Sequence, residues 1–214
     1  SRRRHTRFRN VTGVQTCALP ISGRQLADGQ YLEAATRAAS FIRARLWDAP
    51  SQTLLRRYRQ GDAKVEGYAE DYSYLIFGLL ELFQAGGDPA WLEWAMTLQA
   101  RMDELFWDDA EGGWFSTTGR DPSVLLRLKE DYDGAEPSAS SVAVINLLAL
   151  SHLASTDHSA RIEKTLAAFA ARITQQGRSV PMMLTALSTY HADIPQDRKS
   201  TRLNSSHVSE SRMP

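Results

Sequence analysis

Residues 126–150 read LRLKEDYDGAEPSASSVAVINLLAL, and within them a segment rich in acidic residues gives way to an apolar one. The apolar part continues to residue 154 and predicts a largely apolar helix, of the kind that is buried inside a helical protein. Acidic side chains are favoured at the N-terminal end of a helix, where the helix dipole is positive. The stretch therefore predicts a buried helix that is entered through an acidic loop.

The rest of the segment 22–196 predicts two kinds of helix in alternation. One kind is amphipathic, with an apolar stripe opposite a charged face, and the other is apolar around most of its circumference. The amphipathic helices are predicted over 31–47, 90–107 and 159–173, and the apolar ones over 71–83, 142–154 and 181–190.

The connections between these helices carry their own signals. GGDP at 86–89 predicts the end of one helix and the start of the next, because glycine ends helices, aspartate caps them and proline suits their first turn. A β-hairpin is predicted within 54–67, and the longest irregular stretch spans 107–141. Each amphipathic helix is thus joined to an apolar one by a loop.

An internal repeat relates the first two of these helix pairs. The segments Tyr31-Leu32-Glu33 and Leu46-Trp47-Asp48 match Trp91-Leu92-Glu93 and Phe106-Trp107-Asp108 at an offset of 60 residues. Repeated helical hairpins bury their faces against their neighbours. The predicted fold is all-α, an incomplete ring with about three hairpins of an α/α toroid, amphipathic helices outside and apolar helices inside. An open solenoid of helix pairs is the alternative.

The two ends of the chain differ from its centre in charge. Residues 1–21 hold five arginines and no acidic residue, residues 197–214 hold four basic and two acidic residues, and 22–196 hold 16 basic and 23 acidic residues, a net charge of −7. The basic start alone would suggest nucleic-acid binding or a transit peptide. The acidic centre favours neither.

The ends are also related to each other through the genetic code. Each residue from 4 to 21 can be encoded by a codon that is the reverse complement of one for its partner between 197 and 214, which gives 18 consecutive pairs. VTGVQTCALPI and DRKSTRLNSSH resemble translations of the two strands of a sequencing adapter. We therefore expect disordered, non-native tails over 1–21 and 197–214 around a partial toroid domain at 22–196. Cys17, the only cysteine, then lies outside the domain.

Three stretches of the centre resemble a known family: GYAEDYSYLIFGLLELF (67–83), WLEWAMTLQARMDELFWDDAEGGWF (91–115) and the quoted 126–150. They are similar to the helical domain of the YyaL-type thioredoxin-domain-containing proteins, which include spermatogenesis-associated members. The resemblance covers about 31–190 and is most specific at K-x-x-Y-D-G-A-x-P-S (129–138). It implies a domain like the six-hairpin toroids of sugar epimerases and glycosidases, with a thioredoxin-like domain upstream. No CxxC motif occurs in this chain.

Candidate site residues lie in the two acidic loops that enter the apolar helices. Paired carboxylates are what acid/base chemistry on a glycosidic bond requires, and an aromatic side chain such as Trp114 offers a flat surface to a sugar ring. The predicted catalytic residues are Asp71, Asp133 and Glu136. The predicted substrate-binding residues are Glu66, Tyr72, Trp114, Lys129, Asp131, Tyr132 and Ser138.

Several of these residues also have a purely structural interpretation, whereas Trp114 has no counterpart in the first repeat and is favoured as a ligand surface. Asp71 and Glu136 are equally well read as helix caps, and Lys129 as the partner of a neighbouring acid. Trp47 and Trp107 recur at the same place in both repeats, which favours packing. His152 lies on an apolar stripe and is expected in the core, and no histidine occurs in the two acidic loops.

Two functions stay open from the sequence. One is a carbohydrate-processing toroid with a saccharide ligand in an acidic funnel. The other is a non-catalytic helical scaffold that accompanies an upstream redox domain. No phosphate-binding glycine loop, HExxH motif or cluster of His and Cys ligands occurs, and no run of about 18 apolar residues exists. We expect a cytoplasmic protein with no cofactor, no metal, no nucleic-acid partner and no membrane span.

Overall fold

The computed structural model describes residues 14–26, 28–120 and 124–192. Most of them are helical, as predicted. The helices are α1 (Val14–Leu26), α2 (Gly29–Arg45), α3 (Ala69–Gly86), α4 (Pro89–Phe106), α5 (Ala139–Leu153), α6 (Ser159–Ala168), α7 (Ala170–Gln176) and α8 (Pro181–His191), with a 3-10 turn at Gly177–Ser179.

The helices form two layers. In the inner layer α3 packs against α5 and α5 packs against α8, while α2, α4 and α6 lie on the outside against these inner helices. Helices α3 and α5 are buried on most sides, which is why their sequences are apolar almost all round. Outer and inner helices thus alternate along the chain in the predicted order, α2 then α3, α4 then α5, and α6/α7 then α8, and the closest packing between consecutive helices is that of α3 with α4 and of α1 with α2.

The junction between the first two hairpins is built as GGDP predicts. Gly87 adopts φ +75°, and its N–H donates to Phe83 O to end α3. Asp88 then caps α4, since its side chain accepts a hydrogen bond from Ala90 N at 3.0 Å, and Pro89 occupies the first turn. These local signals fix the tight return from an inner helix to the next outer one.

A small antiparallel sheet fills the loop between α2 and α3. Its strands are β1 (Trp47–Asp48), β2 (Thr53–Arg59) and β3 (Asp62–Glu66), in the order β1-β2-β3. The β2–β3 turn has positive φ at both Gln60 and Gly61, as a two-residue hairpin turn requires. The hairpin predicted within 54–67 is confirmed.

The same local geometry appears at both copies of the Trp-Asp repeat. Trp47 pairs with Leu54 and Trp107 pairs with Trp114, each in antiparallel fashion just after an outer helix. Both tryptophans pack against the hydrophobic core. The interpretation of Trp47 and Trp107 as packing residues is confirmed.

The structure differs from the sequence-based expectation at three places. Residues 14–21, within the predicted disordered tail 1–21, belong to α1, which packs on α2 and α3 and contributes Leu19 to the core. The outer helix predicted over 159–173 is broken at Phe169, and His152 is exposed rather than buried. Residues 1–13 and the predicted tail 197–214 lie outside the described residues.

Candidate functional site

The N-terminal ends of the three inner helices meet at one end of the structure, which we call the mouth. The Tyr74 hydroxyl of α3 donates to Pro137 O, just before α5, at 2.8 Å. The mouth consists of Tyr68–Asp71, Glu130–Ser138 and Ser179–Met182, and both predicted acidic loops contribute to it.

Asp71 is the most buried carboxyl group of the mouth, with 8% of the residue exposed. Its Oδ2 accepts a hydrogen bond from Tyr68 N at 2.8 Å and lies 3.5 Å from Arg56 Nε. Burial raises the pKa of Asp71 to about 6, against the lowering effect of these two partners, and the charges of Glu70 and Glu136 raise it further. Asp71 therefore changes protonation near neutral pH, as a general acid must.

Arg56 of β2 holds the Asp71 end of the mouth together. Its Nη2 donates to Glu70 Oε1 at 2.6 Å, and its guanidinium carbon lies 4.4 Å from the centroid of the Tyr68 ring. Because it contacts two acidic side chains and one aromatic ring, Arg56 fixes their relative positions.

Glu130, Asp131 and Glu136 of the mouth are exposed, whereas Glu70 and Asp133 are half-buried. Glu130 and Glu136 lie on the loop before α5, and Glu136 is close enough for its charge to raise the pKa of Asp71. Burial and the charge of Glu70 raise the pKa of Glu130. The carboxyl groups of Glu70 and Asp71, in the first turn of α3, thus interact electrostatically with those of Glu130 and Glu136 on the loop before α5.

A cleft of 370 Å³ adjoins this acidic group, a volume within the range of small-molecule sites. Glu66, Tyr68, Thr117, Thr118 and Arg120 line it. Tyr68 connects the cleft to the acidic group, because this residue lines the cleft and its N–H donates to Asp71, which is not itself a lining residue. The predicted binding residue Glu66 therefore lies beside the acidic group, and Tyr132 is exposed on the opposite loop.

Two of the predicted ligand contacts are core residues instead. Tyr72 is fully buried, and its hydroxyl accepts a hydrogen bond from Leu54 N at 2.8 Å. Trp114 is 1% exposed and donates through Nε1 to Asp103 Oδ1 at 2.9 Å. Both side chains are thus buried and hydrogen-bonded within the protein, where they have structural roles in the core.

Asp133 and Ser138 also have structural roles. Asp133 bridges two inner helices, since its Oδ1 accepts from Ser138 N at 2.9 Å and its Oδ2 accepts from Met182 N at 2.8 Å. The buried Ser138 caps α5 by accepting from Ser141 N. With both oxygens of Asp133 occupied by backbone N–H groups, the structure assigns this residue a bridging role in place of the predicted catalytic one.

Lys129 and Asp131 line a different cleft from the one beside Tyr68. Their cleft has a volume of 830 Å³, is completed by α6 and α7, and shares no lining residue with the other. Lys129 Nζ donates to Asp108 Oδ2 at 2.7 Å and to Glu111 Oε2 at 3.0 Å, and Asp131 pairs with Arg172. Both predicted substrate-binding residues are thus engaged in ion pairs, and the alternative interpretation of Lys129 is confirmed.

Lys129 holds a sharp turn over Asp108–Gly113. Its third bond is to Gly112 O at 3.1 Å, where φ is +84° and a Cβ would come within 2.8 Å of Lys164 O. We expect Lys129→Met to lower the free energy of unfolding by about 1–3 kcal/mol because the bonds of a half-buried charge are lost. Chemical denaturation measures this, with Lys64→Met, in an exposed pair on the β-hairpin, as a control that changes stability little. Equal effects of the two variants would contradict the role given to Lys129.

Tyr68 in the mouth and Arg56, which contacts the mouth, were not among the predicted site residues. Arg56 belongs to a run of mainly basic strand residues (RRYR, 56–59), and the sequence alone does not distinguish it from the other arginines of that run. Only the register of β2 against β3 and the entry into α3 direct Arg56 toward Asp71. The signal available was its position as the fourth residue of β2, in the hairpin that precedes the acidic start of α3.

Neither a metal site nor a histidine pair accompanies the mouth. Within the described ranges no group of three or more His, Cys, Asp or Glu side chains is arranged to hold a metal ion. No helix of those ranges is long and apolar enough to cross a bilayer. The mouth presents carboxyl groups beside the guanidinium of Arg56 and the ring of Tyr68.

Comparison with known sequences identifies relatives. Spermatogenesis-associated protein 20 of Homo sapiens is 36% identical over 196 residues, which cover 86% of this chain and 25% of the human protein. An uncharacterized protein of Caenorhabditis elegans is 33% identical over 147 residues, covering 64% of this chain and 20% of its own length. No protein-family model matches the chain. The chain spans about a quarter of the length of the curated relatives it matches.

Solved structures identify the fold. A cellobiose 2-epimerase from Bacillus thermoamylovorans superimposes with a TM-score of 0.67 at 13% identity, covering 87% of this chain and 58% of that one. A family 76 glycoside hydrolase (mannosidase) from Bacteroides thetaiotaomicron gives 0.61 at 12% identity, with coverages of 87% and 54%. The chain is thus homologous to a segment of spermatogenesis-associated protein 20 and has the all-α fold of an incomplete α/α toroid, as predicted.

Proposed function

We propose that the mouth is a saccharide-binding site in which Asp71 acts as a general acid. The observation that carries the proposal is a buried carboxyl group at the open end of the inner helices, flanked by the carboxyl groups of Glu70, Glu130 and Glu136. Pairs of carboxyl groups in unlike environments are the usual machinery for cleaving or rearranging a glycosidic centre.

The two environments suggest a division of roles. Asp71 is buried, with a pKa of about 6, and is therefore suited to deliver a proton to the departing sugar oxygen. Glu136 is exposed on the facing loop, where its carboxylate can assist at the opposite side of the reacting carbon. Arg56 keeps Asp71 in place without occupying the cleft.

The cleft beside Tyr68 would hold the sugar. Tyr68 supplies an aromatic surface, while Thr117, Thr118, Glu66 and Arg120 supply donors and acceptors for hydroxyl groups. The hydroxyl oxygen of Thr117 is buried and has no hydrogen-bond partner among the described residues, so a ligand hydroxyl can satisfy it. The two superimposed structures are those of a cellobiose 2-epimerase and a mannosidase, which act on saccharides, and this agrees with the proposal.

The second candidate is a non-catalytic, cytoplasmic scaffold that accompanies a thioredoxin-like domain within a longer protein. The observation that favours it is an exposed apolar segment beside the cleft. Leu125, Leu126 and Leu128 are 98%, 72% and 62% exposed, and such a group is typical of a surface that another domain covers.

Calorimetric titration with a panel of mono- and disaccharides separates the two candidates. We expect at least one saccharide to bind the wild-type chain. The single variants Thr117→Val and Tyr68→Ala should each weaken that binding about tenfold, because the first loses a polar contact and the second a stacking contact. Thr165→Val, on a buried hydroxyl that bonds only within α6, is the matched control. If no saccharide binds the folded protein, the proposed function fails and the scaffold remains.

A further inference from the structure

A second cleft lies in the outer layer, between α4 and α6, away from the mouth. Its volume is 570 Å³, and its walls come from the α4 side chains around Gln99 and Asp103, from Trp107, and from His158 and Arg161 at the start of α6. None of these residues takes part in the site proposed above. The cleft therefore has to be explained by its own chemistry.

Asp103 carries a buried charge that is incompletely compensated. Its Oδ1 accepts from Trp114 Nε1 and from Gln99 Nε2, both at 2.9 Å, whereas its Oδ2 only faces Arg161 Nη1 at 3.3 Å. The Arg161 side chain is 44% exposed and the Asp103 side chain is 8% exposed. Burial raises the pKa of Asp103 despite these partners. The carboxylate thus has an oxygen left for a further donor.

Gln99 supplies a second free acceptor in the same place. The residue is 2% exposed, it lines the cleft, and its Oε1 has no hydrogen-bond partner within the described parts of the chain. Buried acceptors are normally satisfied, by protein, water or a ligand. Since the Gln99 amide nitrogen is already bonded to Asp103, its carbonyl is held next to the carboxylate.

The charges and the aromatic ring that line the cleft favour a positively charged hydrogen-bond donor as its ligand. Glu104 and Asp109 also line the cleft, and burial lowers the pKa of His158, so Arg161 is the one lining cation among the described residues at neutral pH. The Arg161 guanidinium carbon lies 5.7 Å from the centroid of the Trp107 ring. A cation placed over an indole ring and next to a buried carboxylate gains from both. The Arg161 guanidinium, which is partly exposed, therefore occupies the place beside Asp103 and Trp107 that a ligand cation would take.

We propose that the α4/α6 cleft binds a small organic cation, a primary ammonium group on an apolar body. The ammonium group donates to Asp103 Oδ2 and Gln99 Oε1 and displaces Arg161 toward solvent. Its three donors suit two adjacent acceptors, and the apolar body lies along Trp107, Met96 and Leu150, which line the same cleft. This inference is independent of the saccharide site.

The test uses 2-phenylethylamine and its neutral isostere 2-phenylethanol, titrated into the full-length chain by calorimetry and tryptophan fluorescence. We expect the amine to bind with a dissociation constant below about 1 mM and the alcohol to bind at least about tenfold more weakly, because the charged donor is the main contact. Equal affinities of the two compounds, or no binding of the amine, would overturn the proposal.

Three variants assign the contacts. We expect Asp103→Asn to weaken amine binding at least about tenfold, and Arg161→Gln to strengthen it by about 3–10-fold because the competing cation is gone. A gain in affinity is not produced by loss of folding, so Arg161→Gln keeps the test decisive if Asp103→Asn is unstable. Glu163→Gln, on α6 and bonded to Tyr190, is the control and leaves affinity unchanged. Weaker or unchanged binding by Arg161→Gln would show that Asp103 is not the acceptor.

Discussion

Trp114→Ala is expected to lower the free energy of unfolding by about 3–5 kcal/mol, the range for removing a large aromatic side chain from a packed core. Trp114 is 1% exposed and its ring centroid lies 4.9 Å from that of Trp107. Its Nε1 also donates to Asp103, which would lose a partner for a buried charge. Urea denaturation followed by far-UV circular dichroism measures the loss.

A second substitution separates packing from the hydrogen bond. Trp114→Phe keeps an aromatic ring but leaves Asp103 Oδ1 with Gln99 as its remaining donor, so we expect a loss of about 1–3 kcal/mol. Phe115→Ala, at the next and half-exposed position, is the matched control with a smaller effect. A Trp114→Ala protein as stable as Phe115→Ala would mean that Trp114 is an accessible ligand surface after all.

Sequence periodicity predicts helices α3 and α5 correctly but does not predict the burial of Trp114. Helices α3 and α5 were predicted because an apolar pattern repeats over several turns and because GGDP marks a boundary within four residues. Trp114 lies in a loop, where no period relates a side chain to the core. Its burial depends on pairing with Trp107 and on Asp103, 11 residues away along the chain.

The mouth was predicted in part for a similar reason. Acidic residues at helix starts are visible in sequence, so Asp71 and Glu136 could be placed at the N-terminal ends of inner helices. Which carboxyl group is buried depends on contacts with distant segments. Asp133 is bonded to Met182, 49 residues later, and Asp71 to Arg56 across the β-hairpin. Sequence spacing does not determine either contact.

Asp71→Asn is expected to reduce turnover of a bound saccharide by about 10²–10⁴-fold, the contribution typical of a positioned general acid. The amide keeps an oxygen that can accept the Tyr68 N–H bond but has no proton to transfer at neutral pH. Wild-type turnover should decline as pH rises through about 6, where Asp71 loses its proton. Product formation measured between pH 4.5 and 8 tests both statements, and Glu70→Gln on the same helical turn is the matched control with a smaller loss.

Asp71→Asn should lower turnover, but its free energy of unfolding relative to wild type should rise with pH. This pH dependence distinguishes a protonated buried acid from a carboxylate that only caps a helix. The pKa of Asp71 is raised from 3.8 to about 6 by folding, so the native state binds this proton more tightly than the unfolded state between those values. The free energy of unfolding of the wild-type chain therefore falls as pH increases from about 4 to 6. Asp71→Asn lacks this dependence, and its stability relative to wild type should rise over the same interval and stay level above it.

A variant that is destabilised equally at pH 4 and pH 7 would show that Asp71 serves only to cap α3. If turnover is also unchanged, Asp71 has no part in proton transfer.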